Sequence, residues 1–189
     1  MHSQDLFIAQ LHRLMAFAQA VYVRRIVEGI AVKPKQTFWI MTMDLMMESA
    51  AIEWSKVFGS WDEQTHWKRA LPEDTHSTVR DGLLQAIGMN LSDWESYRDT
   101  IVRYRNEMIA HHDLDASVAA YPQFDPALKA ANFMFDQLRS KADQDWLGGI
   151  PISLGPWAYR VADNMAPIVE KAFRASAELG SNVPVGGSK

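Results

Sequence analysis

Apolar residues along this chain recur at three- and four-residue spacing, the step of a helix that turns one face to a core. No window alternates apolar and polar residues as a half-buried strand would. The first predicted helix, about Gln4 to Ile30, sets Leu6, Ala9, Gln10, Arg13, Phe17, Ala20 and Arg24 at helical steps, with Leu11, Leu14, Ala18 and Val21 on the adjoining stripe. Gly29 and Pro34 mark its end. A second, about Lys35 to Phe58, carries Trp39, Met43, Met46, Met47, Ala50 and Trp54 on one side, and Gly59 suits its C-terminal cap.

Ser60 to Pro72 then reads as an aromatic and polar connection containing Trp61, His66 and Trp67, with room for one short helix. Ser77 to Ile87 forms a short helix stopped by Gly88. Ser92 with Glu95 makes a capping-box pattern that opens the next helix, which carries Trp94, Tyr97, Ile101, Tyr104 and Met108 and ends near His112 or Asp113. Leu114 to Asp125 reads as a loop. Pro126, at a first-turn position, starts a helix to about Trp146. Gly148, Gly149, Pro151, Gly155 and Pro156 break the chain before a final helix, about Ala158 to Leu179. The expectation is an all-α bundle of five or six helices in one domain, 1–179, followed by a mobile Gly- and Ser-rich tail, 180–189.

Composition narrows the chemistry. A length of 189 residues fits one domain, and 48% apolar with 22% charged residues fits a water-soluble globular chain. The absence of cysteine excludes disulfides, thiolate catalysis and Cys-bearing zinc sites. The 19 basic and 23 acidic residues leave a net charge of -4, so nucleic-acid binding requires a local basic patch. Met1 to Asp5 has no signal-peptide character, and Arg13, Arg24, Arg25, Asp44 and Glu48 interrupt the apolar passages. A cytoplasmic protein without membrane attachment is expected. No Gly-rich phosphate loop, paired-histidine zinc helix or acidic calcium loop occurs, and no cofactor or metal is expected.

The richest stretch runs Arg103-Tyr104-Arg105-Asn106-Glu107-Met108-Ile109-Ala110-His111-His112-Asp113. Its charges have an ordinary reading: Arg103, Glu107 and His111 form an i, i+4 ladder, a last-turn histidine suits the helix dipole, and Asp113 suits a loop anchor. Yet Arg105-Asn106 followed by His111 resembles the signature of the HEPN superfamily, an Arg, a polar residue and a His four to six positions after the Arg. Ala110-His111-His112-Asp113 resembles the ending seen in its abortive-infection, AbiU-like branch. Trp54-Ser55-Lys56-Val57-Phe58-Gly59 and the pair His66-Trp67 resemble the upstream blocks of the same branch. The resemblance covers about residues 35 to 140.

What the resemblance implies is a two-fold homodimer with the motif helices facing each other, and a metal-independent ribonuclease site for phage defence or a toxin–antitoxin pair. RNA would be the substrate and an antitoxin protein a partner. A non-catalytic dimer that binds RNA or a protein is the alternative. Cleavage without metal needs a proton acceptor near the ribose 2′-hydroxyl, which a histidine supplies near neutral pH, and fixed positive charge at the phosphate, which arginine supplies. Arg105 and His111 take these roles and Asn106 orients them. Arg103, His112 and Asp113 stand second. On a regular helix Arg105 and His111 project roughly 120° apart, whereas Arg105 and His112 lie within about 20°. Both histidines remain candidates.

Among the remaining residues, Trp54, Phe58, Trp61 and Trp67 fit core packing better than base stacking, and His66 fits a hydrogen-bonded histidine near the core or the dimer seam. Met41, Met43, Met46 and Met47 read as adaptable packing. Arg24, Arg25, Lys33 and Lys35, or Lys68 with Arg69, could form a basic patch but more commonly make a solvated face.

Overall fold

The computed structural model describes residues 3–30, 36–106 and 121–177. Within them the chain folds as six α-helices without a strand, as the periodicity requires. The first segment becomes α1 (Ser3–Gly29), whose Leu11, Leu14, Phe17 and Ala18 are fully buried. Their burial makes α1 the centre of the bundle, packed on α2 (Thr37–Phe58), α5 (Asp125–Lys141) and α6 (Leu154–Ala177). Over Asp5–Gly29, α1 is long and apolar enough to cross a membrane by length and composition, and half of its most apolar 18-residue stretch is buried inside the protein. On α2, Met47, Ala50, Ala51, Trp54, Val57 and Phe58 face the core. A second apolar cluster, Val23, Val27, Ile30, Ala162 and Phe173, joins the end of α1 to α6.

The short helix α3 (His76–Ile87) ends where Gly88 takes a left-handed φ of 74°, so that the amides of Gly88 and Met89 close on the Leu84 carbonyl. The next helix, α4 (Leu91–Tyr104), is capped by Asn90, not Ser92. Asn90 Oδ1 accepts the Asp93 amide at 2.9 Å, the N-cap bond, and its Nδ2 donates to Asp93 Oδ2 at 2.7 Å, a side-chain bond that holds the cap ahead of the Ser92 pattern.

Three other expectations are corrected. The connection before α3 holds two short 3₁₀ turns, Trp67–Arg69 and Glu73–Thr75, in place of one helix. α5 stops at Lys141: Ala142 turns extended, and Asp143 caps a separate 3₁₀ turn, Gln144–Trp146, by accepting the Asp145 amide, a local bond that competes with helix continuation. α6 begins at Leu154 instead of Ala158, because Gly155 and Pro156 fall in its first turn, where an amide hydrogen has no helical acceptor. The expectations for Lys35, for the end of the motif helix near His112, for most of the following loop and for the tail lie outside the described residues.

Candidate active site

The motif helix reaches its polar end by running antiparallel to α2. Trp94 and Tyr97 pack edge-on against Trp54, and Ile101 is fully buried. Past Tyr104 the helix widens into a π-type turn at Arg105 and Asn106.

Arg105 keeps 22% of its side chain exposed, and its Nη1 donates to Glu63 Oε1 at 2.9 Å, joining α4 to the turn after α2. Its Nε donates to Asn106 Oδ1 at 3.1 Å. The guanidinium is thus aimed by a carboxylate and an amide, while Arg103 is solvent-exposed. His111, His112 and Asp113 lie outside the described residues, as does Glu107 of the charge ladder. Tyr104 and Tyr121 meet edge-on with ring centroids 6.0 Å apart, and the Tyr121 hydroxyl donates to Asp44. Burial, with the Glu48 and Asp44 carboxylates nearby, pushes the Tyr104 hydroxyl up to about 12.

The turn that carries Glu63 is fixed from several sides. Glu63 N donates to the Ser60 carbonyl and His66 N to the Glu63 carbonyl, both at 3.1 Å. Gln10, fully buried on α1, donates from Nε2 to the carbonyls of Thr65 at 3.0 Å and His66 at 2.9 Å. His66 is 6% exposed, stacked on Trp67, and its Nδ1 accepts the Lys68 amide at 3.3 Å. Burial first, then the charges of Lys68, Arg69, Arg98 and His76, lower its pKa to about 4, so this histidine is neutral at pH 7.

The four aromatic candidates separate cleanly. Trp54, Phe58 and Trp67 are buried, Trp54 and Phe58 stacked on each other, whereas Trp61 is 52% exposed. Lys68 Nζ lies 5.7 Å from the ring centroids of both Trp61 and Trp67, and the Arg69 guanidinium 5.4 Å from that of Trp61. Arg24 and Arg25 are instead tied to Glu28 and Asp125. Met47 is core, Met43 and Met46 are half-buried, and Met41 is exposed.

Sequence reasoning missed Glu63, because nothing local marks a carboxylate whose partner lies 42 residues away. Among the described residues no group of three His, Asp or Glu side chains is placed to hold a metal ion. Comparison with family models, with curated proteins and with solved structures returned no match.

Proposed function

We propose that this chain is a metal-independent, RNA-cleaving enzyme of the HEPN type that works as a homodimer, in phage defence or as the toxin of a toxin–antitoxin pair. The observation that carries the reading is the setting of Arg105: at the widened end of the motif helix, beside Asn106, and held by Glu63 from the turn after α2. A guanidinium restrained in this way loses less freedom when it meets a phosphate, and it cannot shed its proton as charge builds on the phosphoryl oxygens. His111, close in sequence, supplies the proton acceptor for the 2′-hydroxyl. Attack of that oxygen on the adjacent phosphorus expels the 5′-oxygen and leaves a 2′,3′-cyclic phosphate.

The Arg105–Glu63 pair also favours a second reading, a non-catalytic dimer in which the pair ties α4 to its neighbouring turn. Two variants separate them. Under the enzymatic reading Arg105→Ala abolishes cleavage, with a loss of about two to four powers of ten in rate, while Glu63→Gln removes the charge but keeps an oxygen that accepts from the guanidinium and so lowers cleavage far less. Under the structural reading the wild type does not cleave, and the two variants lower stability alike. Cleavage is measured on single-stranded RNA with and without chelator, in parallel with sedimentation and with His111→Ala and His112→Ala. Persistence of cleavage in chelator and a dimer at micromolar concentration are expected. Activity lost in chelator and restored by a divalent ion, or a protein that is only monomeric, overturns the proposal.

A further inference from the structure

We propose that Trp61, Lys68 and Arg69 form the track on which a single strand of RNA lies as it approaches Arg105. The inference rests on the reading of the protein as an RNA-cleaving enzyme and adds to it the form of the substrate and the residues that hold it. With a net charge of -4, the chain as a whole repels a polyanion, so contact depends on cations grouped on one face. Here the grouping is built into the packing. Lys68 extends between two indole rings, and Arg69 lies over Trp61 while its Nε and Nη2 donate to the Trp61 carbonyl at 3.3 and 3.0 Å. Long cations restrained in this way give up less rotamer entropy on binding than free ones.

Beside them opens a groove of about 440 Å³, lined by Trp61, Lys68, Leu71, Glu73 and His76. That volume suits a small organic group such as a nucleobase. The floor is organised: His76 Nε2 lies 2.9 Å from the carbonyls of both Lys68 and Leu71. Leu71 is apolar, and Glu73 is the one acid in the lining. An exposed indole flanked by cations stacks an unpaired base and neutralises the neighbouring phosphate. A duplex hides its base faces, so a single strand is the form that fits. The turn bearing Trp61 also bears Glu63, which grips Arg105, and Arg98 stands on the same stripe of α4 as Arg105. The groove and the motif arginine are therefore linked through one turn, with Trp61 in the lining and Glu63 two residues on.

The test is fluorescence anisotropy of a labelled oligoribonucleotide whose 2′-oxygens are methylated, so that binding is read without cleavage. Trp61→Ala is expected to weaken binding roughly 5- to 150-fold, the loss of one stacked base. Trp61→Phe recovers most of it. Lys68→Ala weakens binding and flattens the salt dependence by about 0.7 in slope for the lost phosphate contact. Arg174→Ala, on α6, serves as the charge control and changes neither. A Trp61→Ala protein with wild-type affinity, a wild type with no affinity for the strand, or an unchanged salt slope in Lys68→Ala overturns the track. Dependence on Lys68 but not Trp61, with polyglutamate competing equally, overturns it in favour of an acidic protein. Trp61-dependent binding without cleavage of ordinary RNA leaves the track standing and removes the ribonuclease reading; cleavage with Trp61-independent binding does the reverse.

Discussion

His66 makes the stability of this fold depend on acidity over a defined window. In the unfolded chain the imidazole titrates near 6.5; in the bundle, burial and then the charges of Lys68, Arg69, Arg98 and His76 lower the value to about 4. Between these two values the unfolded chain carries a proton that the folded protein does not. Unfolding then takes up a proton, and stability falls as the pH falls. The contribution is fully present above about pH 6.5 and is lost as the pH drops toward 4. A gap of about 2.5 pH units at 1.36 kcal/mol each gives about 3 kcal/mol, a large share of a typical 5–15 kcal/mol. Because His66 is only 6% exposed, solvent screening does not reduce this much. His66→Asn removes the titration and keeps an oxygen able to accept the Lys68 amide, the cap of the Trp67–Arg69 turn. Urea unfolding of both proteins between pH 7 and pH 4 is the measurement. The difference in unfolding free energy between wild type and His66→Asn is expected to shrink or change sign by about 3 kcal/mol across the window. Parallel pH curves for the two proteins would refute the argument, because carboxylates elsewhere titrate alike in both and cancel.

The remaining predictions concern named contacts. Tyr97→Phe removes the hydroxyl that donates to the Gln123 carbonyl at 2.6 Å and accepts the Ala127 amide at 3.1 Å at the start of α5; a loss of about 1–3 kcal/mol in denaturant unfolding is expected, and a loss near zero would show that water replaces it. Trp54→Ala empties a fully buried site stacked on Phe58 and edged by Trp94, so a cost of about 3–5 kcal/mol is expected, read by thermal and urea unfolding. Arg105→Ala leaves stability within about 1 kcal/mol of wild type, since a part-exposed pair is worth little, while cleavage is lost; a large fall in stability would favour the structural role.

Helix content was legible in the sequence because the three- and four-residue recurrence of Leu11, Leu14, Phe17 and Ala18, or of Trp94, Ile101 and Tyr104, is a local property that burial of one face demands. Most stops were legible for the same reason: Gly88 takes the left-handed backbone its lack of a Cβ permits. The errors fell where two local signals compete and side-chain bonds decide between them, as with Asn90 against Ser92 at the start of α4 and Asp143 at the break after α5. In the candidate site, Arg105 and Asn106 stood out because they are adjacent. Glu63 did not, because an ion pair across 42 residues exists only after α2 and α4 have packed. The aromatics show the division most plainly. Trp54, Phe58, Trp61 and Trp67 are alike as letters, and it is the closing of α4 over α2 and of the following turn against α1 that buries three and leaves Trp61 at the surface between two cations. Periodicity is written along the chain, whereas exposure and charge pairing are set by which distant surfaces meet.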